Sequence, residues 1–438
     1  MNFKILKANN LIGFLSILLF SVCDSCVKPR VIPIDKVTIT NFHQKNIEPT
    51  IMIGPNVNLF IDYSTCVVDA VRSSAFFHQI RSRITGLIPT PTLYGLKGQS
   101  IVQIGNNMDV INQELNNIHE ISYANIEGAC HQICMNNEQA ILITDGEYWT
   151  AGIGERTDLA YLKDSFVKWI SKGFEIYVYI ESYIEKYNGN NYNKKRFYFL
   201  FTDDKIQNNI YQELNKAFSV SPINSSLKLI KLSNSDIQPN GKFSINQDLS
   251  STVLIDENFS AYEIGDDWDT IDEFILNAKD PNTGISIPGG GYLLNGLKLT
   301  SNPLSPYTYA QLDLKVYQVS ENFINKQKID FNANEVNDIF TLDNNLYKKS
   351  GEIGIKILGD YSKSLSKTSE NLLRIDIIAK TVNKKLNRAD FEWKSLSVNG
   401  TNSSVFESIL QTIDNDKIDP GSSQKILYTL YLKTSPLK

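Results

Sequence analysis

Apolar residues follow two periods along the first half of the chain, and the two periods predict strands and helices in alternation. Continuous apolar runs, typical of buried strands, occur at 57–62, 139–144, 174–180, 196–202 and 227–232. Helical spacing, with an apolar residue every three to five positions, lies between the runs at 66–84, 107–117, 126–135, 156–172 and 203–218. A further strand-like segment lies within 92–104.

This alternation predicts an α/β domain over 55–240, with a doubly wound, mostly parallel sheet and helices on both faces. The pattern changes after residue 250. Segments of alternating apolar and polar residues there are separated by polar, turn-rich stretches, which is typical of antiparallel strands. We therefore expect residues 250–438 to form a mainly antiparallel, β-sandwich-like domain with two helical insertions, near 268–278 and 404–413.

The N-terminus has the pattern of an export signal. Two lysines precede an apolar run at 11–22, which is shorter than the ~20 residues that a membrane-spanning helix needs. Cys23 and Cys26 follow directly, as in a bacterial lipobox, although the residues before each cysteine match the box imperfectly. We predict a signal or lipoprotein leader at 1–26 with Cys26 or Cys23 lipidated, and a tether with room for one edge strand at 27–54. Simple secretion and an uncleaved anchor are the alternatives.

The location that follows is the cell envelope, with a lipid anchor in the outer membrane on the periplasmic face or the cell surface. We expect the lipid to be the sole membrane contact. The net charge of −5 and the lack of a basic segment predict no nucleic-acid partner. The four histidines form no H-E-x-x-H motif, and neither a G-x-S-x-G elbow nor a phosphate-binding loop is present, so the sequence favours a protein without enzymatic activity.

Two predicted strands end in oxygen-bearing residues. The first runs into Asp62-Tyr63-Ser64-Thr65-Cys66, and the strand at 139–144 runs into Asp145-Gly146. Ligands of open α/β sheets bind at the carboxyl ends of parallel strands, so we expect these loops to meet at one edge. Carboxylate and hydroxyl oxygens suit hard cations such as Mg²⁺.

The segments FIDYSTC at 60–66, YANIEGAC at 123–130 and LITDGE at 142–147 together resemble the von Willebrand A domain over about 55–235. The resemblance implies a metal-ion-dependent adhesion site with Asp62, Ser64 and Asp145 as ligands of Mg²⁺ or another divalent cation. It also implies a protein or glycan ligand whose carboxylate completes the coordination of the metal.

Two positions depart from that family pattern. Cys66 stands where the resemblance implies a second loop hydroxyl, and Ala124 stands where it implies a threonine. A thiol is a poor ligand for Mg²⁺, and an alanine side chain has no donor atom. Two readings stay open: a weak divalent site at Asp62, Ser64 and Asp145, or a relic loop whose aspartates accept backbone N–H bonds.

Two other groups of residues are candidates for a site. Cys130 and Cys134 lie on one face of a predicted helix, either as small buried residues or, with His131, as part of a zinc site. The polar segment 181–195 is either a hairpin extension or a short helix. Its three tyrosines, Tyr183, Tyr187 and Tyr192, form either a binding surface or part of a solvated loop.

Three functions are consistent with these features. The first is an exported, non-enzymatic protein that binds a protein or glycan partner through the degenerate metal site. The second is a metal-free scaffold subunit of an envelope assembly. The third is a hydrolase whose site lies in the C-terminal domain.

Overall fold

The computed structural model describes residues 53–64, 67–68, 71, 73–84, 86, 90–116, 123–150, 153–187, 189–220, 227–234, 236–245, 260–264, 275–276, 292–318, 340–357, 371–395 and 400–434. The predicted leader, nearly all of the tether, and with them Cys23 and Cys26, lie outside these residues. Cys66 also lies outside them. No helix in the described part of the chain is long and apolar enough to cross a membrane.

A seven-stranded sheet forms the centre of the N-terminal half. Its strands are β1 (Gly54–Asp62), β2 (Thr92–Lys97), β3 (Ser100–Gly105), β4 (Glu138–Thr144), β7 (Glu175–Tyr187), β8 (Asn190–Thr202) and β9 (Lys228–Leu232), in the spatial order β3-β2-β1-β4-β8-β7-β9. Beside it, β5 (Tyr148–Thr150) and β6 (Gly154–Arg156) form a small hairpin. Each of the five apolar runs corresponds to one strand of the sheet, although the runs at 174–180 and 227–232 begin one residue before β7 and β9.

The prediction of a mostly parallel sheet is wrong, because the sheet is mixed. β1 pairs in parallel with β2 and β4, whereas the other four neighbouring pairs are antiparallel. Two tight connections cause this: β2 turns directly into β3, and β7 turns directly into β8 at Gly189, whose φ is 78°. Connections of two residues reverse the chain and cannot make the crossover that parallel strands need.

Five helices of the N-terminal half are described: α1 (Ala75–Ile84), α2 (Met108–Asn116), α3 (Ile126–Asn136), α4 (Lys163–Ile170) and α5 (Ile210–Val220). Side chains of β4 point alternately into two separate cores. Ile141 and Ile143 share a core with α1 and α5, and Ala140 and Leu142 share the other with α3 and α4. The sheet is therefore covered by helices on both faces, as predicted.

Two helix starts differ from the prediction. The helix expected over 156–172 begins at Lys163, and the helix expected over 203–218 begins at Ile210. Arg156 instead ends β6, and its carbonyl accepts a hydrogen bond from the Ser404 hydroxyl at 2.9 Å. Contacts with a distant segment therefore hold the backbone near Arg156 in an extended form. Helix α4 ends at Ile170, two residues before the predicted end, and Gly173 follows in the turn after it with a φ of 86°.

The C-terminal half is built from short strands in small sheets. They are β10 (Ile237–Asn240), β11 (Ser244–Ile245), β12 (Ser260–Ile264), β13 (Ile275–Leu276), β14 (Leu294–Asn295), β15 (Lys298–Ser301), β16 (Tyr307–Gln318), β17 (Phe340–Leu342), β18 (Ile355–Ile357), β19 (Asn371–Lys384), β20 (Trp393–Lys394), β21 (Thr401–Asn402) and β22 (Ile426–Thr434). Helices α6 (Asn344–Ser350) and α7 (Ser404–Ile413) and a 3₁₀ turn (Arg388–Asp390) accompany them.

One hydrophobic core unites two of these sheets. Leu312, Ile375 and Leu430 contribute from the sheet of β12, β22, β19 and β16, and Leu294 and Ile355 contribute from the sheet of β11, β14, β18 and β17. Antiparallel pairing predominates, as expected for a sandwich-like arrangement, although β13 pairs in parallel with β22. The helical insertion predicted near 404–413 is confirmed as α7. Of the one predicted near 268–278, only residues 275–276 are described, and they form β13.

Contacts cross the predicted boundary between 240 and 250. β10 pairs with β15, so the chain joins the C-terminal strands at Ile237. Helix α7 packs in the other direction: Val405, Phe406 and Ile409 are buried in the core that also holds Phe60 and Leu142 of the central sheet. The predicted domain division stays a prediction, but the C-terminal half supplies part of the core of the N-terminal half.

Candidate functional site

Asp62 and Asp145 lie at the same edge of the central sheet. β1 and β4 are parallel neighbours with Ile61 opposite Ile143, so the residues that follow them emerge together. The Thr144 hydroxyl donates a hydrogen bond to Asp62 Oδ2 at 2.8 Å, which links the two strand ends directly. The sequence pattern thus located an acidic edge formed by two aspartates that lie 83 positions apart along the chain.

The oxygens of both aspartates are already engaged. Asp62 Oδ1 accepts the Ser64 backbone N–H at 2.8 Å, and Asp145 Oδ1 accepts the Glu147 N–H at 3.1 Å. The Ser64 hydroxyl also bonds to Asp62. Such bonds close the tight turn after each strand. Of the two open readings, this is the geometry expected of a relic loop.

The candidate ligands are covered by protein. Asp62 is 1% exposed, Ser64 6% and Asp145 2%. Helix α7 contributes to this burial, since Gly146 leaves no space for a side chain: a Cβ there would lie 2.4 Å from Val405 Cγ2. A metal-dependent adhesion site needs a face that a ligand can reach, and the described residues do not provide one at these three positions.

A lysine of the β7–β8 hairpin lies beside Asp145. Lys194 Nζ lies 3.6 Å from Asp145 Oδ2, 2.6 Å from Glu147 Oε1 and 2.8 Å from Glu185 Oε2, and the lysine side chain is 1% exposed. β8 carries Lys194 past the end of β4, because Phe197 is already opposite Thr144. A protein ammonium therefore supplies positive charge beside Asp145, where the sequence analysis placed a metal ion.

Sequence analysis assigned no role to Lys194. A signal for it was present in Asn188-Gly189, a dipeptide that favours a two-residue hairpin turn. With that turn, the polar segment 181–195 becomes the end of a long hairpin, which is the first of the two predicted alternatives. The hairpin then extends beyond the acidic edge and brings Lys194 to it.

Burial and crowding of negative charge raise two pKa values at this edge. Burial, followed by the charge of Asp145, raises the pKa of Asp62 to about 7, against the opposing effect of the bonds from Ser64 and Thr144. Burial and then Asp145 raise the pKa of Glu147 to about 8, and Lys194 opposes that rise. The single ammonium of Lys194 cannot neutralise all the carboxylates at this edge. Asp62 and Glu147 therefore take up protons at a higher pH than ordinary carboxylates do.

The donor set does not fit a resident divalent ion. Ala124 is buried and offers no side-chain oxygen, and Cys66 lies outside the described residues. Within the part of the chain that the structure describes, no group of three or more histidine, cysteine, aspartate or glutamate residues is arranged to hold a metal. Asp62 and Asp145 use their oxygens for the turn bonds, the Thr144 hydroxyl and Lys194 instead.

The cysteine pair of α3 is a buried apolar feature. Cys130 and Cys134 are unpaired thiols with no exposed surface, whereas His131 on the same helix is exposed. Burial raises the pKa of Cys130 well above the usual value and that of Cys134 to about 11, so neither forms a reactive thiolate near neutral pH. These three residues do not converge as the zinc alternative required.

A groove lies beside the acidic edge, between the end of the β7–β8 hairpin and strand β20. Its volume is about 610 Å³. Tyr183, Asn191, Tyr192 and Asn193 line it from the hairpin, and Trp393 and Lys394 line it from β20. Two of the three tyrosines named from the sequence therefore reach a concave surface. The side chain of Tyr187 lies outside the described set.

No family model, no curated protein and no solved structure matches this chain. The resemblance to the von Willebrand A domain stays a prediction from the three quoted segments.

Neutralising Asp62 should change the pH dependence of stability. Because its pKa is about 7 in the folded protein against an ordinary value of 3.8, the folded state binds the proton more tightly. This contribution to stability is complete below pH 4 and is lost as the pH rises through 7. We expect Asp62→Asn to flatten that decline and to stabilise the protein at pH 8 by about 2 kcal/mol. The difference between the folded and unfolded pKa values alone would raise the free energy of unfolding of the variant by about 4 kcal/mol. The loss of one charge-assisted hydrogen bond lowers it again by about 2 kcal/mol.

Urea denaturation of the wild type and of Asp62→Asn at pH 5 and pH 8 measures this effect. Asp313→Asn is the matched control, because its carboxylate is half-exposed at the surface and pairs with Lys380. An Asp62→Asn protein that is less stable than the wild type at pH 8 would show that Asp62 is needed as an anion.

Proposed function

We propose that this chain is an exported, lipid-anchored envelope protein that binds a protein or glycan partner without a divalent metal and without catalysis. The single observation that carries the proposal is the position of Lys194. Its ammonium sits against Asp145, Glu147 and Glu185 and supplies the positive charge that the acidic edge requires. The α/β half is then a metal-independent relative of the von Willebrand A domain, in which a lysine has replaced the ion.

The interface between the α/β half and the C-terminal half supports a scaffold role. Glu155 of β6 accepts hydrogen bonds from the Ser395 hydroxyl at 2.6 Å and from the Asn402 amide at 2.9 Å, all three residues being buried. The Ser408 hydroxyl accepts the Leu162 N–H at 3.2 Å, which satisfies a donor at the start of α4. These bonds tie α7 and the segment before it to the α/β half, and in this proposal both halves meet a partner as one unit.

A metal titration tests the proposal. We expect Mg²⁺ and Mn²⁺ added to the full chain to give no saturable heat and to change Tm by less than about 1 °C, because a ligand that binds only weakly adds almost nothing to stability. Isothermal calorimetry and differential scanning fluorimetry measure the two effects. Lys194→Met is the matched comparison, since it leaves the same carboxylates without their ammonium.

The contrary outcome is specific. A saturable heat in the wild-type protein that disappears in Asp62→Asn or in Asp145→Asn would establish a metal site at the sheet edge and refute metal independence. Binding that both variants retain would place the ion elsewhere and leave the lysine-filled edge intact.

A further inference from the structure

The groove between the hairpin and β20 lies against one face of the β7–β8 hairpin. Residues that are opposite each other in antiparallel strands point to the same face, so Ser182 and Lys195 share the groove face. Side chains alternate along a strand, so Lys194 points to the opposite face, together with the carboxylates that it contacts. The acidic edge therefore does not fill the groove with negative charge.

Two lysines in the walls of the groove have no acidic partner among the residues that the structure describes. The Lys195 ammonium donates to the neutral Ser182 hydroxyl at 2.9 Å, and the side chain of Lys394 is exposed on β20. The one acidic residue of the lining, Glu392, pairs with Arg388 at 2.6 Å. The groove therefore keeps the positive charge of both lysines, although the whole chain has a net charge of −5.

The hairpin beside the groove has an unpaired edge. β8 pairs with β4 only over residues 197–201, and β20 pairs with β21. In the described part of the chain, residues 190–193 thus have a strand partner on the β7 side alone. Such an edge offers backbone donors and acceptors to an extended peptide. Ile184, which lines the groove and is 61% exposed, adds apolar surface.

We propose that this groove binds an acidic segment of a protein partner, in an extended conformation that pairs along the free edge of β8 and places carboxylates beside Lys195 and Lys394. The inference rests on the proposed function, because it names the partner of the same binding protein. The unpaired lysines favour an anionic ligand. The free edge favours a peptide over an anionic glycan, since a glycan has no backbone amides to pair with a strand.

Isothermal calorimetry of the full chain with a blocked octapeptide of sequence ETVTETVT tests the inference. An extended chain of this sequence presents its carboxylates and its valines on one face. We expect saturable binding at low salt with a Kd below about 1 mM, which weakens as salt screens the charges. The uncharged peptide QTVTQTVT should bind at least about fivefold more weakly. Hydrogen exchange should show added protection of residues 190–193 in the complex with ETVTETVT.

A pair of lysine variants locates the binding. Lys195→Met/Lys394→Met removes both charges from the groove and should weaken binding of ETVTETVT about fivefold or more, since two ion pairs are lost. Lys348→Met/Lys349→Met is the matched control, because it removes the same charge from two exposed lysines of α6 outside the groove. This control should leave the affinity within about twofold of wild type.

Each remaining outcome overturns the inference. No saturable binding does so, as does equal binding of the two peptides or binding that Lys195→Met/Lys394→Met leaves unchanged. Binding without added protection at 190–193 refutes the strand pairing. Tighter binding of trigalacturonate than of ETVTETVT would identify an anionic glycan as the ligand and refute the peptide. The metal titration decides metal independence whichever ligand binds, so the two proposals can fail separately.

Discussion

Replacing Lys194 by methionine lowers the free energy of unfolding by about 3–5 kcal/mol at pH 8, the range found when one partner of a buried ion pair is removed. Methionine keeps the length and apolar stem of lysine and removes only the charge. Asp145, Glu147 and Glu185 are then left without the ammonium that lies within 4 Å of each. The loss is smaller at pH 6, because the raised pKa values of Asp62 and Glu147 let both groups take up protons.

Urea denaturation followed by circular dichroism at the two pH values measures this loss. Lys195→Met is the matched control: it removes the neighbouring ammonium, which donates to the Ser182 hydroxyl at the surface, and should change stability by less than about 0.5 kcal/mol. Equal stability of the two variants at pH 8 would mean that Lys194 does not neutralise the acidic edge, and the proposed metal-independent function would lose its main support.

Truncating Ile409 to alanine destabilises the protein by about 2–5 kcal/mol, the usual range for a large apolar side chain in a core. Ile409 lies in α7 and has no exposed surface, and it shares a core with Phe60 of β1 and Leu142 of β4. The cavity therefore opens beside the central sheet, although the mutated residue is more than 250 positions away along the chain. We expect backbone amides of β1 and β4 to lose protection together with those of α7.

Hydrogen exchange followed by mass spectrometry resolves these segments. Gln411→Ala, two positions further along α7 and exposed, should leave the protection of all three segments unchanged. If Ile409→Ala opens α7 while β1 and β4 keep their protection, the helix is an independent unit and does not complete the core of the α/β half.

Most of the elements could be predicted from the sequence, because each depends on a local pattern. The run QAILIT became β4 since six of its seven residues, Gln139–Thr144, are buried in a sheet covered on both faces, and α7 appeared where an apolar stripe follows Ser403 and Ser404. Strand direction was not predictable in the same way. The order β4-β8-β7 depends on a two-residue turn at Gly189 and on which strand of the hairpin then pairs with β4.

The candidate site was also predictable only in part from the sequence. Asp62 and Asp145 could be placed together because each directly follows a strand, and neighbouring parallel strands end at one edge. Lys194 could not, since its position depends on how far a hairpin extends beyond that edge. Nor could the burial of the edge, which requires Val405 from the other end of the chain to pack on Gly146.

The sequence by itself determined where strands and helices form and that two aspartates share an edge of the sheet, because short-range periodicity and strand polarity decide both. Only the tertiary structure decided which cation pairs with Asp145 and what covers both aspartates. Those outcomes depend on contacts among residues 62, 145, 194 and 405, and no local pattern carries information about pairings over such distances.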